Sequence, residues 1–248
     1  MPGLDPLIGF CLLALIGGAA LLYSSVGHGG ASGYLAAMAL VGLEPALMKP
    51  AALTMNVFVT VLVLARLAPR GCFNWRLFLP LMLGSVPMAY LGGAFPIDAA
   101  LYRYILGFAL ILAFVHMMWQ AQDRDPVATP KPWIMVPVGG IIGFVSGMTG
   151  VGGGIFLSPL LLFFMWTNMR GSAAIAAAFV LCNSLSGLAG YASVAEQWPS
   201  GIALLVGAAA LGALLGSELC VRRMTSVNLR RMLGVVLAIA GIKMIATA

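Results

Sequence analysis

Apolar residues run along this chain in long stretches, each closed by charge, Pro or Gly. They cover residues 7–26, 31–43, 47–66, 76–95, 101–120, 134–149, 154–167, 171–192, 200–220 and 228–247. A helix needs roughly 20 predominantly apolar residues to cross the hydrocarbon core of a bilayer. The pattern therefore predicts a string of membrane helices, with shorter pieces at 31–43 and 154–167. The only long polar linker is Gln120 to Pro132, where Pro and charge mark an exposed hinge. It divides the chain into a first membrane repeat, 1–120, a linker, 121–133, and a second membrane repeat, 134–248.

The two halves resemble each other. Leu101 to Met118 reads LYRYILGFALILAFVHMM and Asn228 to Ile245 reads NLRRMLGVVLAIAGIKMI. Arg103 matches Arg230, Leu106 matches Leu233, Gly107 matches Gly234, Leu110 matches Leu237 and Met117 matches Met244, all at one constant offset. Asn56 and Asn183 keep that offset. Upstream, Gly27-His28-Gly29-Gly30 faces Gly150-Val151-Gly152-Gly153 at a slightly shorter one. Three matches in order argue for duplication.

Composition fixes the solvent. The chain is 62% hydrophobic and 8% charged, against about 25% charge in a soluble domain. Lipid must cover it, and its length leaves no room for a soluble domain. The net charge of +6 comes mostly from loop arginines, and no basic run interleaved with aromatics suggests a nucleic-acid partner. The four cysteines show no CxxC spacing, so no disulfide framework, metal site or cofactor is expected. The first segment lacks a positive leader region and reads as a retained helix.

Lys and Arg placement sets orientation. Arg66, Arg70 and Arg76 flank one loop, Arg222, Arg223, Arg230 and Arg231 fill another, and Arg124 and Lys131 sit in the linker. Placing these loops in the cytoplasm satisfies the positive-inside rule. The counterpart of the Arg66–Arg76 loop, around Glu196, is then outside, so the halves are inverted. This requires an odd number of segments in each, and five fits. The fold expected is an all-α polytopic membrane protein of two inverted repeats, about five hydrophobic segments each, with glycine-rich breaks and short half-helices.

The chemistry concentrates at the breaks, Ser24 to Gly33 and Ser146 to Gly154. Glycine costs roughly 1 kcal/mol per residue against Ala in a helix interior. Inside a membrane, non-helical backbone persists only where protein buries it or it lines a wet cavity. Each break frees N–H groups and starts a half-helix whose positive end points at the break, an anion-binding arrangement. Two breaks facing each other would form one central site. Close helix packing is the plain alternative, and it suffices for the isolated pairs Gly92-Gly93 and Gly139-Gly140.

Candidate substrate-binding residues follow. Gly27, His28, Gly29, Gly30 and Ser32 line the first break, and Thr149, Gly150, Gly152, Gly153 and Gly154 the second. Asn56 and Asn183 sit deep in apolar helices, where an amide needs a hydrogen bond; they orient a substrate or join helices. His28 could carry a proton or positive charge, though Val151 replaces it in the second half. Lys49 attracts an anion or snorkels to the interface, and snorkelling is the favoured reading. Cys182 reads as a small core residue. No Asp or Glu sits mid-segment. Intramembrane carboxylates commonly mark cation and proton paths, so an anionic substrate is favoured.

At these residues the sequence resembles the sulfite exporter TauE/SafE family. The resemblance rests on Gly27-His28-Gly29-Gly30, on Thr149 to Leu161 (TGVGGGIFLSPLL), on the segment bearing Asn183, and on the Arg103/Gly107 and Arg230/Gly234 pattern. It implies a secondary transporter of sulfite, thiosulfate or organosulfonates, working by alternating access in a bacterial inner (plasma) membrane. The partners it implies are a small anion and the bilayer, with homo-oligomerisation left open. Three other readings compete: a passive anion channel, a non-transporting membrane scaffold, and an intramembrane serine protease using Ser32 of Gly30-Ala31-Ser32-Gly33 with His116. The second half has Ile155 at the position of Ser32, and an enzyme built on Ser32 would not need the second break.

Overall fold

The computed structural model describes residues 5–26, 30–67, 73–118, 130–195, 201–222 and 227–248. They form ten helices: α1 Pro6–Val26, α2 Ala31–Val41, α3 Pro45–Leu67, α4 Trp75–Ala94, α5 Ala99–Met118, α6 Pro132–Thr149, α7 Gly154–Phe163, α8 Met169–Ala192, α9 Ile202–Arg222 and α10 Val227–Ala246. No strand occurs among the described residues. Five helices, α1, α3, α4, α6 and α8, are long and apolar enough to cross a membrane. With large apolar side chains such as Leu83, Phe108, Trp133 and Ile141 turned outward, the chain is an all-α polytopic membrane protein. The two helices that follow the breaks have 11 residues in α2 and 10 in α7, about half of what a full crossing needs.

Local chemistry sets the helix ends. Asn74 caps α4 by accepting from the Arg76 N–H at 3.0 Å, and Asn168 caps α8 by accepting from the Gly171 N–H at 2.9 Å. Asp98 does the same for α5 through the Ala100 N–H at 2.9 Å. Each cap satisfies a donor the helix cannot.

Packing interleaves the halves. α1 lies on α9 as α6 lies on α4; α4 meets α8 as α9 meets α3; α2 meets α10 as α7 meets α5. Exchanging each helix with the one five places along maps these contacts onto one another. The exchange extends to residues where α5 crosses α10. A Cβ on Gly107 would meet Ile245 and Gly241, and one on Gly234 would meet Met118 and Phe114. α3 and α8 pack on each other at the centre, and 61% of each spanning window is buried, against 33% for α1.

Three of the four glycines assigned to packing do serve it. A Cβ on Gly139 would strike the Leu81 carbonyl, one on Gly92 the Phe144 carbonyl, and one on Gly93 the Gly187 carbonyl. Close approach of backbones is how small residues join helices in lipid. Neighbouring Gly140 differs, since its Cβ would lie 3.5 Å from Met88 Cγ in ordinary contact. Gly139→Ala is expected to destabilise the fold by about 1–3 kcal/mol through overpacking, while Gly140→Ala leaves the melting temperature in detergent nearly unchanged. Equal shifts for the two would contradict this packing.

Candidate functional site

The second glycine run forms a sharp junction between two helices. α6 closes at Gly150, whose N–H donates to the Ser146 carbonyl at 2.9 Å. Gly150, Gly152 and Gly153 have φ of 83°, 78° and 85°. An L side chain in that left-handed region costs roughly 1–2 kcal/mol, so Gly is the residue that serves at all three. α7 then begins at Gly154 with no side-chain cap on its first turn. The Gly153 carbonyl accepts from the Phe156 and Leu157 N–H groups. No described group accepts from the N–H groups of Gly152, Gly153, Gly154 or Ile155. Free donors at the positive end of a helix favour negative charge.

Polar side chains from three helices ring this end. Asn56 of α3 donates through Nδ2 to the Gly150 carbonyl at 3.3 Å. A Cβ placed on Gly152 would stand 2.9 Å from Asn56 Nδ2 and 3.3 Å from Ser184 Oγ of α8; one on Gly153 would stand 3.2 Å from Ser146 Oγ of α6. Asn183, next to Ser184, accepts from the Ser85 hydroxyl of α4 at 2.6 Å. Asn56, Ser146, Asn183 and Ser184 are fully buried. Asn56 Oδ1, Ser146 Oγ, Asn183 Nδ2 and Ser184 Oγ have no hydrogen-bond partner among the described residues. Leaving a buried polar group unpaired costs about 1–3 kcal/mol. Three of these atoms, on Asn56, Ser146 and Ser184, belong to side chains around one free helix end and call for an explanation beyond packing.

The expected residues divide accordingly. Gly150, Gly152, Gly153, Gly154 and Asn56 come together at this junction, with Asn183 one position from Ser184. Thr149 holds the junction from behind. Its hydroxyl donates to the Val145 carbonyl at 2.7 Å, and its own carbonyl accepts from the Tyr102 hydroxyl at 3.0 Å. Gly30 precedes α2, and a Cβ there would run into the Tyr34 ring. Ser32 shares a buried hydrogen bond of 2.5 Å with the Tyr23 hydroxyl. Gly27, His28 and Gly29 lie outside the described residues, as do most of the linker and the side chains of His116, Arg66, Arg222, Arg223, Arg230 and Arg231.

The snorkelling expected of Lys49 is overturned. Its side chain is only 6% exposed. Nζ donates to the Gly93 carbonyl at 2.6 Å and the Gly92 carbonyl at 3.2 Å, and stands 5.8 Å over the Tyr191 ring. The last carbonyls of α4 have no partner within their own helix, and they draw the ammonium inward. Lys49 also abuts the junction, since a Cβ on Gly150 would lie 3.0 Å from its carbonyl oxygen. Ser85, Ser146 and Ser184 were not among the expected residues. A serine in an apolar helix usually turns back on its own backbone, and only the adjacency of Ser184 to Asn183 and of Ser146 to the glycine run hints otherwise.

Comparison with known proteins agrees with this architecture. The family described as sulfite exporter TauE/SafE matches residues 11–244. A protein of Sinorhizobium fredii named "Probable membrane transporter protein y4hK" is 34% identical over 231 residues, covering 91% of this chain and 94% of its own. One of Methanocaldococcus jannaschii, "Probable membrane transporter protein MJ0441", is 29% identical over 126 residues, covering 48% and 45%. No solved structure matches. A family match across nearly the whole chain and a relative of this similarity place the protein: it is a membrane transporter of the sulfite exporter TauE/SafE family.

Proposed function

We propose that the protein is a secondary transporter of a small anion, sulfur-containing in the manner of sulfite, thiosulfate or an organosulfonate, and that it resides in a bacterial inner membrane. The observation that carries this reading is the free N-terminal end of α7 ringed by the orphaned polar atoms of Asn56, Ser146 and Ser184. Their hydroxyl and amide donors complement an anion's oxygens without a fixed counter-charge. Asp5, Glu44 and Asp98 are all exposed, so the described interior holds no carboxylate to repel one. The name of the family supports sulfite as a member of the substrate class.

Alternating access is the mechanism this geometry favours. These orphaned atoms are closed off from solvent, so a ligand reaches them only after helices part. The exchange of contacts between halves, joined with the cytoplasmic placement of the basic loops, supports two inverted repeats that rock about α3 and α8.

Purified protein in proteoliposomes is expected to take up labelled sulfite, thiosulfate or a sulfonate saturably, and to show counterflow when preloaded. Uptake without counterflow would mean a passive channel. Transport of none of these anions, with no thermal stabilisation by any, would overturn the sulfur-anion reading.

A further inference from the structure

The orphaned atoms at the α7 junction are not all of one kind. The N–H groups of Gly152 to Ile155 and the hydroxyls of Ser146 and Ser184 can donate to an anion. Asn56 Oδ1 cannot; it only accepts. Its orientation is set by the structure, because turning the amide over would put Oδ1 against the Gly150 carbonyl, which Nδ2 now faces at 3.3 Å. No described neighbour satisfies it: it is buried without a partner among the described residues, and neither the Ser146 nor the Ser184 hydroxyl donates to it. Thr60, one turn along, donates to the Asn56 backbone carbonyl at 2.6 Å and so does not serve Oδ1. A ligand made only of acceptors, such as a fully deprotonated oxyanion with an alkyl tail, would leave this oxygen unpaired in the bound state.

We propose that the anion this site takes carries a hydrogen-bond donor of its own, a hydroxyl, ammonium or acid hydrogen, and that Asn56 Oδ1 accepts from it. The proposal rests on the anion-site reading above and narrows it to anions that also donate. Discrimination on this basis is strong, because the analogue lacking the donor strands a buried acceptor.

The test uses the full-length protein in detergent and two probes of one shape, 2-hydroxyethanesulfonate and 1-propanesulfonate, which differ by a hydroxyl in place of a methyl. Wild-type protein is expected to bind the hydroxyl-bearing probe at least about tenfold more tightly by calorimetry. In Asn56→Leu the two affinities should come within a factor of about two, chiefly through loss for the hydroxyl-bearing probe. Equal affinities in the wild type would overturn the proposal, and so would a preference that survives Asn56→Leu. Should that variant fail to fold, the wild-type ratio decides, and Asn56→Ala, smaller and without an acceptor, is read for the same loss of preference. Failure of both probes, together with sulfite and thiosulfate, would instead bring down the anion site itself, an outcome distinct from two probes bound alike.

Discussion

Gly153→Leu is expected to abolish anion uptake while the protein still inserts in the membrane. Gly153 sits at φ 85°, where any L residue pays about 1–2 kcal/mol in backbone strain. Its Cβ alone would lie 2.8 Å from Phe179 Cε1, 3.0 Å from Ile142 Cγ2 and 3.2 Å from Ser146 Oγ. The remaining carbons of Leu would press on these three side chains, and such overpacking adds about 1–3 kcal/mol. On the proposed function, this crowding falls beside the first N–H groups of α7, where the anion is proposed to bind. Gly153→Ala carries the strain and the first contact only. It should lower uptake by roughly tenfold, the equivalent of about 1.4 kcal/mol. Labelled-anion uptake per reconstituted molecule, with Gly140→Ala as control, measures this. Wild-type uptake by Gly153→Leu would remove the junction from the transport path.

The physics behind that result explains why much of the fold was legible. In a lipid-solvated chain each crossing element must satisfy its backbone internally and face hydrocarbon, so apolar runs become helices almost directly. The runs at 47–66, 76–95 and 171–192 became Pro45–Leu67, Trp75–Ala94 and Met169–Ala192. The break at Gly150 to Gly153 was legible because three of its glycines hold a conformation that other residues avoid. Gly107 and Gly234, matched by one offset, occupy corresponding places where α5 crosses α10: Gly107 lies against Gly241 and Ile245, Gly234 against Phe114 and Met118. What stayed hidden depends on which neighbour a polar group finds. Nothing in the sequence separated by nearly a hundred positions says that Ser85 donates to Asn183, or that Asn56 reaches the Gly150 carbonyl. The direction of Lys49 was hidden for the same reason.

Lys49→Met should produce the second large effect, and it follows from how a charge-poor chain uses its cations. Arg103 donates to the Thr247 carbonyl at 2.6 Å, just beyond the end of α10, and Lys243 donates to the Leu40 carbonyl at 2.8 Å near the end of α2. Lys49 does this for α4 through Gly92 and Gly93. In lipid the final carbonyls of a helix have no water to turn to, so a cation there satisfies acceptors and meets the negative end of the helix at once. Lys49 is the most buried of the three, and its Cα would lie 3.2 Å from a Cβ on Gly150, so it joins the end of α4 to the junction. Methionine keeps much of the length and removes the donors. Two carbonyls are then stranded at about 1–3 kcal/mol each. A chain of this size loses roughly 2–4 °C of melting temperature per kcal/mol. Uptake should fall as well, because α4 is no longer held against the lining of the site. An unchanged melting temperature would mean the ammonium spends its time at the interface; a lowered one with wild-type uptake would confine Lys49 to capping α4.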